Sequence, residues 1–396
     1  MSVSRRTVLS AGLVGVVQAL IPPLACADGI GDKEIVLGSH LDFSGATAIV
    51  GPPMRNGMQM RIDEANEAGG VQGRKLRLII EDNAAQPSQA VRAVDKLIKK
   101  DGVFAILCPF GSGANVSTVK RVVDSGVICF APYAASALVR KAAGPSPLLF
   151  TTNLGYDSTT AAGVKWALAK LGSKRVGFIY QEGPYGDLVE KGLTVALTSK
   201  GMAVVASASY KIGDIDFSSQ VARMKSAGAD LIVCATATRE TIAVSSEVKK
   251  LDWKNVSVLT AISGRIEKTA SVGKDAVSGL YGIGGWRIPV SDEQSGESKK
   301  WSDGYRKRFN AEPDDLAQLF YDYTSWFLQG LQVTGRDLTT EKAVKALQVS
   351  SFKGASSYEV QHFRNNHIDP EWMMIEQVSQ GQWVSRSDPI DPAKMV

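Results

Sequence analysis

Two serines open helical patterns directly after apolar, strand-like runs: Ser112 follows residues 103–108 and Ser136 follows residues 127–130. A hydroxyl at a helix start, beside the first-turn N–H groups, can hold a carboxylate. The same serine can equally be a plain N-cap. Phe43, Tyr133, Tyr185 and Tyr321 stand near comparable strand ends or in a following helix, where an aromatic ring either flanks a ligand or packs in the core. Arg239 and Arg265 also follow strand-like runs and could meet an anion, the alternative being solvated surface arginines. Enzyme signatures are missing: the chain has no G-x-x-x-x-G-K-[ST], no G-x-S-x-G and no H-E-x-x-H. Its three histidines are His40, His362 and His367, and the last two lie in a turn region, so neither a metal nor a catalytic base is expected.

The elements that would position these residues alternate regularly. Short β-branched or apolar runs fall at 34–39, 76–81, 103–108 and 127–130, separated by helical patterns at 53–68, 88–102 and 116–123. The same grammar restarts after Thr152, with helices at 158–171, 187–200, 217–227 and 238–251 and strands at 175–180, 203–208, 231–235 and 256–261. Near-continuous apolar strands suit parallel sheets covered on both faces. Two such sets predict an α/β protein of two doubly wound lobes rather than one large sheet. Residues 291–300 read as a charged surface loop, helices return at 315–331 and 341–347, and 358–384 reads as β-hairpin material. Ligands of such sheets bind beyond the carboxyl ends of the strands. Those ends are the segments 40–51, 109–113, 132–136, 181–186, 236–240 and 261–265, rich in small residues and tyrosine.

The first 27 residues read as an address rather than as fold. Ser4-Arg5-Arg6-Thr7-Val8-Leu9 is a twin-arginine pattern, an apolar stretch follows, and Ala25-Cys26-Ala27 supplies a cleavage site. A membrane anchor or a lipid-modified Cys26 are the alternatives. Cleavage after Ala27 removes two arginines and no acid, taking the net charge from +5 to +3. The dispersed basic residues exclude a nucleic-acid stripe. In the exported chain Cys108, Cys129 and Cys234 are odd in number and lie in or at the end of apolar runs, so buried thiols are expected.

Several segments resemble periplasmic binding proteins of the leucine/isoleucine/valine-binding type. The first is Asn66-Glu67-Ala68-Gly69-Gly70-Val71-Gln72-Gly73-Arg74-Lys75-Leu76; Glu81-Asp82-Asn83, then Pro87-Ser88-Gln89-Ala90-Val91, follow in order. Tyr185-Gly186-Asp187, Asp216-Phe217-Ser218 and Tyr321-Asp322 recur at the matching places, so the resemblance covers roughly residues 34–385. It implies a monomeric, exported receptor that needs no cofactor and delivers a ligand to an inner-membrane ABC permease. It also implies three crossings between lobes, near Thr151, Gly284 and Ser357. The N-terminal lobe would then be 28–151 with 285–357, and the C-terminal lobe 152–284 with 358–396.

Carried over residue by residue, Gly111-Ser112-Gly113 matches the carboxylate loop, Tyr133-Ala134-Ala135-Ser136 the segment beside it, and Tyr185 the tyrosine of the second lobe. The family's amino-acid binders carry an acid after the strand at 256–261 to hold the ammonium; here the stretch reads Thr260-Ala261-Ile262-Ser263-Gly264-Arg265. Ala237 stands where a tyrosine is expected, and Thr238-Arg239-Glu240-Thr241-Ile242 is similar to the aromatic-acid branch. The resemblance therefore favours a small aromatic carboxylate over a branched-chain or other neutral amino acid. The amino acid would require Glu182, Glu240 or Asp187 to reach the ammonium. A periplasmic sensor on the same lobes is the other reading.

Overall fold

The computed structural model describes residues 29–152, 155–289, 296–363 and 372–395; the twin-arginine segment lies outside them. The first lobe runs β1 (Glu34–Leu41), α1 (Gly51–Glu67), β2 (Lys75–Asp82), α2 (Pro87–Lys99), β3 (Ala105–Leu107), α3 (Ser112–Asp124), β4 (Ile128–Phe130), α4 (Ser136–Ala143) and β5 (Leu149–Phe150). Its sheet has the order β2-β1-β3-β4-β5 and every pairing is parallel, from Glu34↔Lys75 to Phe130↔Phe150. Strand β1 is buried from Ile35 onward, as an apolar run covered on both faces must be.

The chain then builds the second lobe from α5 (Tyr156–Lys170), β6 (Val176–Gln181), α6 (Pro184–Thr198), β7 (Ala206–Tyr210), α7 (Ser218–Ser226), β8 (Leu231–Ala235), α8 (Thr238–Lys250), β9 (Ser257–Thr260), α9 (Glu267–Gly273) and β10 (Tyr281–Gly284). It returns to the first lobe as α10 (Gly296–Phe309), α11 (Asp315–Gln332) and α12 (Thr340–Val349), with a small ladder of β11 (Ser351–Phe352) on β12 (Gln361–His362). Finally β13 (Met374–Ser379) and β14 (Gln382–Ser385) enter the second sheet, whose order is β14-β13-β10-β9-β8-β6-β7. Strand β13 lies antiparallel to β10, and the β13–β14 hairpin turns at Gln380 and Gly381, both at positive φ as a tight two-residue turn requires.

Two expectations need correction. Helix α10 begins at Gly296, inside the stretch read as a loop: its charges mask Trp301, Tyr305 and Phe309, four residues apart, whose rings pack together at 5.6 and 4.9 Å. The first lobe extends to Phe363, past the crossing expected near Ser357. Phe363 still packs in the first lobe, 4.3 Å from the Trp326 ring, 5.0 Å from Phe150 and 5.8 Å from Phe130.

All three described cysteines are buried and free, and burial raises their thiols, that of Cys129 to about 12. His40 is buried at the end of β1, where Asn83 Nδ2 donates to its Nδ1 (2.9 Å) and also to the carbonyl of Phe110 (2.9 Å). Burial lowers its pKa from 6.5 to about 4. The unfolded chain therefore binds a proton that the folded chain refuses. The contribution of neutral His40 is complete above pH 6.5 and is lost as pH falls toward 4. The loss is on the order of 3 kcal/mol. Asp322, pushed up to about 6 by burial, works in the opposite direction, so the effect is read by difference. Urea titrations of wild type and His40→Asn between pH 7 and 4.5 are expected to give a shallower acid loss for the variant; parallel curves would refute this.

Candidate functional site

A cavity of about 250 Å³ lies between the lobes. Every one of the six strand-end segments contributes to its wall. From the first lobe come Thr47, Val50 and Met54 after β1, Ala85 and Pro87 after β2, Phe110 to Ala114 after β3, Tyr133 after β4, and Leu316 at the start of α11. From the second come Tyr156 of α5, Gln181, Glu182, Pro184 and Tyr185 around the start of α6, Ile212 after β7, Ala237 and Thr238 at the start of α8, and Ser263 and Ile266 before α9.

On the first-lobe side two loops are stitched together. Gly111 donates its N–H to the Tyr133 carbonyl (3.0 Å) and Tyr133 donates to that of Pro109 (3.0 Å). Gly111 has φ 104°, a conformation that suits glycine, and it sets the start of α3 against the cavity. Ser112 Oγ accepts the Ala135 N–H (3.0 Å), which leaves its own proton free to be donated to an anion. The first intrahelical bond of α3 is Asn115 N to Gly111 O, so the N–H groups of Ser112, Gly113 and Ala114 have no partner within the helix. Helices α6 and α8 also begin at the cavity, and three positive helix ends favour a negative ligand group there.

The second-lobe side is aromatic and hydroxylic. The rings of Tyr156 and Tyr185 meet edge to face at 4.8 Å. Ser263 Oγ donates to Tyr156 Oη (3.2 Å), and Tyr185 Oη donates to the Thr236 carbonyl (3.4 Å). Burial raises the Tyr133, Tyr156 and Tyr185 phenols, that of Tyr156 to about 12, so all three are neutral at physiological pH. Behind them the hydroxyls of Thr236, Thr241 and Thr260 form a chain at 2.6 and 3.3 Å. Glu182 is the one acid among the lining residues, and its Oε1 accepts from Ser209 Oγ (2.9 Å).

Of the residues singled out from the sequence, Ser112, Gly113, Tyr133, Tyr185, Ala237 and Ser263 line the cavity. Ala134 and Ala135 are fully buried just behind it, and Ser136 opens α4, its side chain lying outside the described part. Four others lie elsewhere. The Arg239 side chain is 48% exposed and pairs with Glu240 (3.2 Å), because the first turn of α8 carries it to the surface. Arg265 turns away into the interior, ion-paired with Glu376. Tyr321 faces α1 and donates to Glu64 (2.6 Å). Phe43 lies beside the Arg55 guanidinium, 5.8 Å from its ring centroid, and not on the wall. Thr47, Tyr156, Thr238 and Leu316 were not singled out; Thr47 and Thr238 lay in the named segments, but Tyr156 opens a helix after the two-residue strand β5, which the sequence reading did not include, and Leu316 lies in the first turn of a helix that follows another helix. His40 is bonded to Asn83 and does not reach the cavity. Among the described residues no group of three His, Cys, Asp or Glu could hold a metal, and no helix is long and apolar enough to cross a membrane.

Two lobes, one built on a parallel sheet and the other on a largely parallel one, present their strand ends and helix N-termini to one shared cavity and define a two-lobed ligand-binding protein. The chain belongs to the periplasmic binding protein family, which matches residues 34–382. It is similar to Leu/Ile/Val-binding protein homolog 7 of Brucella abortus, 25% identical over 367 residues, covering 89% of this chain and 91% of the relative. Its fold matches an ABC-transporter solute-binding protein of R. palustris solved with benzoate, with TM-score 0.78, 17% identity, and coverage of 90% of this chain and 97% of the other. It also matches the branched-chain amino acid transporter substrate binding protein LivJ of Streptococcus pneumoniae solved with isoleucine, with TM-score 0.75, 22% identity, and coverage of 89% and 100%.

Proposed function

We propose that this chain is the periplasmic receptor of an ABC importer and that its cargo is a small aromatic carboxylate of the benzoate or hydroxycinnamate kind. The reading is carried by the pairing of the Ser112 hydroxyl and the α3 N-terminus with a wall of neutral tyrosines. The carboxylate would sit at Ser112, Gly113 and Ala114, the ring between Tyr133 and Tyr185, and a distal hydroxyl near Tyr156 and Ser263. The structural neighbour holding benzoate fits this reading. No bond is broken, so binding and release are the whole chemistry, and delivery to a membrane permease follows from cleft opening.

A second reading, a neutral amino acid, is favoured by Glu182, which lines the cavity and could meet an ammonium. The two separate in a thermal-shift comparison of benzoate, 4-hydroxybenzoate and 4-coumarate with leucine, valine and phenylalanine. A ligand at 100 times its Kd stabilises the folded state by about 2.7 kcal/mol, a readable shift. The aromatic acids are expected to bind wild type and Glu182→Gln alike; binding of leucine or valine alone, lost in Glu182→Gln, would establish the second reading instead. Ser112→Ala removes one donor to a charged group, about 1.5–3 kcal/mol, and is expected to weaken carboxylate binding roughly ten- to hundredfold by calorimetry.

A further inference from the structure

Asp314 and Asp315 stand at the start of α11 in the first lobe, opposite the start of α9 in the second. Asp315 Oδ1 accepts the backbone N–H of Glu267 (3.1 Å), and its Oδ2 accepts Trp286 Nε1 (2.9 Å) from the segment that crosses between the lobes. Alongside, Lys268 of α9 is ion-paired with Asp314. Asp315 is fully buried and is not among the residues lining the cavity, although its neighbour Leu316 is. The Trp286 ring packs edge to face on Tyr133 at 5.8 Å, and Tyr133 does line it.

We propose that Asp315 is the clasp that holds the two lobes shut over the cargo, a positioning residue that sets affinity without touching the ligand. This rests on the receptor reading above. When the lobes separate, the bond from Glu267 to Asp315 and the Lys268–Asp314 pair must break, since their partners belong to opposite lobes. The closed population, and with it the apparent affinity, depends on them, because a ligand that binds the closed form is weakened by the fraction of time the cleft spends open. The charged and titratable groups facing Asp315 are Asp314, Glu267, Lys268, Arg265, Tyr133 and Tyr358. Burial foremost, then Asp314, pushes the Asp315 carboxyl up to about 7 against the pull of Arg265. Opening would return it to water and to an ordinary value near about 4. Closure therefore takes up a proton: its advantage is complete below about pH 4 and is lost as pH rises through about 7.

The test reads lobe separation directly. Spin labels on Ile215→Cys in the second lobe and Val349→Cys in the first, 74% and 85% exposed, give the interlobe distance in the mature protein, the described native thiols being buried. At pH 6, saturating 4-hydroxybenzoate is expected to shorten the distance in wild type. Asp315→Ala should retain the long-distance population and weaken Kd by about tenfold or more, because the part-buried Glu267 N–H and the buried Trp286 Nε1 lose their acceptor. Lys268→Met, a milder change at the rim, should fall between. Wild-type affinity should decline from pH 5.5 to 7.5, and that of Asp315→Ala should stay flat. Distance distributions that coincide for wild type and Asp315→Ala, with and without ligand, overturn the clasp. If 4-hydroxybenzoate leaves the wild-type distance unchanged and leucine shortens it, the cargo assignment fails alone, and the same comparison is read with leucine. If neither acts, ligand-free distributions at pH 5.5 decide, and identical ones overturn the clasp.

Discussion

Glu376→Ala is expected to destabilise the protein by about 3–5 kcal/mol, the usual result of stripping one partner from a buried ion pair. Arg265 has no exposed surface, its Nε donates to Glu376 Oε2, and its Nη2 donates to Tyr358 Oη (3.3 Å). Tyr358 Oη in turn donates to the carbonyl of Trp286 (2.7 Å), and the guanidinium lies 5.9 Å from the Trp286 ring centroid. Its Nη1 has no hydrogen-bond partner within the described residues, so the charge is already sparsely satisfied. Without Glu376 no carboxylate remains bonded to it, and water cannot reach it. The double variant Arg265→Met with Glu376→Met removes both charges and should lie much nearer wild type, since desolvating the pair offsets most of its attraction. Urea unfolding of the three proteins decides the matter. A Glu376→Ala midpoint close to wild type would show that the pair carries little.

Gly57→Ala is expected to cost about 1–3 kcal/mol through overpacking and to weaken ligand binding as well. Helices α1 and α11 approach so closely at Gly57 that an added Cβ would stand 2.0 Å from the Ala317 carbonyl oxygen, 2.9 Å from its carbon and 3.1 Å from the Tyr321 nitrogen. All three are backbone atoms of α11, so no side-chain rotation can relieve the clash. The helices must part, and α11 carries Leu316 into the cavity wall and Asp315 into the interlobe contact. Gly296→Ala, where a Cβ would meet nothing within 4 Å among the described residues, is the control and should leave both stability and binding unchanged. Thermal melts with and without ligand test both. Equal melting points for the two variants would mean that α1 and α11 tolerate separation.

The architecture was legible because buried parallel strands have to be near-continuous apolar runs, and runs such as 231–235 carry no other reading beside helix-patterned neighbours. The cavity segments were legible for the same reason, since the strand ends are where such sheets leave room. What position along the chain does not carry is the direction of a side chain. Arg239 and Ala237 are two residues apart, yet one reaches solvent and the other faces the cavity. Arg265 is drawn inward by Glu376, which lies 111 residues away in sequence and left no mark beside it. Tyr321 was singled out as an aromatic near a strand end or in a following helix and again by the family pattern, yet its hydroxyl is taken by Glu64 on the opposite helix. The helix at 296–309 was hidden because its aromatics are scattered among charges that, taken alone, suggest a solvated loop.

The route of the chain also fixes when each lobe can exist during synthesis. The first sheet is complete at Phe150, but α1 lacks its packing partner until Asp315–Gln332 has been made. Strand β10 lacks one neighbour until Met374–Ser379 arrives. Neither half can therefore mature as an N-terminal unit while the rest is still being translated. Such distant pairings are slow to form and leave unpaired edges exposed in the meantime. The nascent polypeptide is expected to stay protease-sensitive and dependent on holding factors almost to its last residue. A truncation ending at Gly284 would carry every strand of the first sheet and most of the second, yet should not fold.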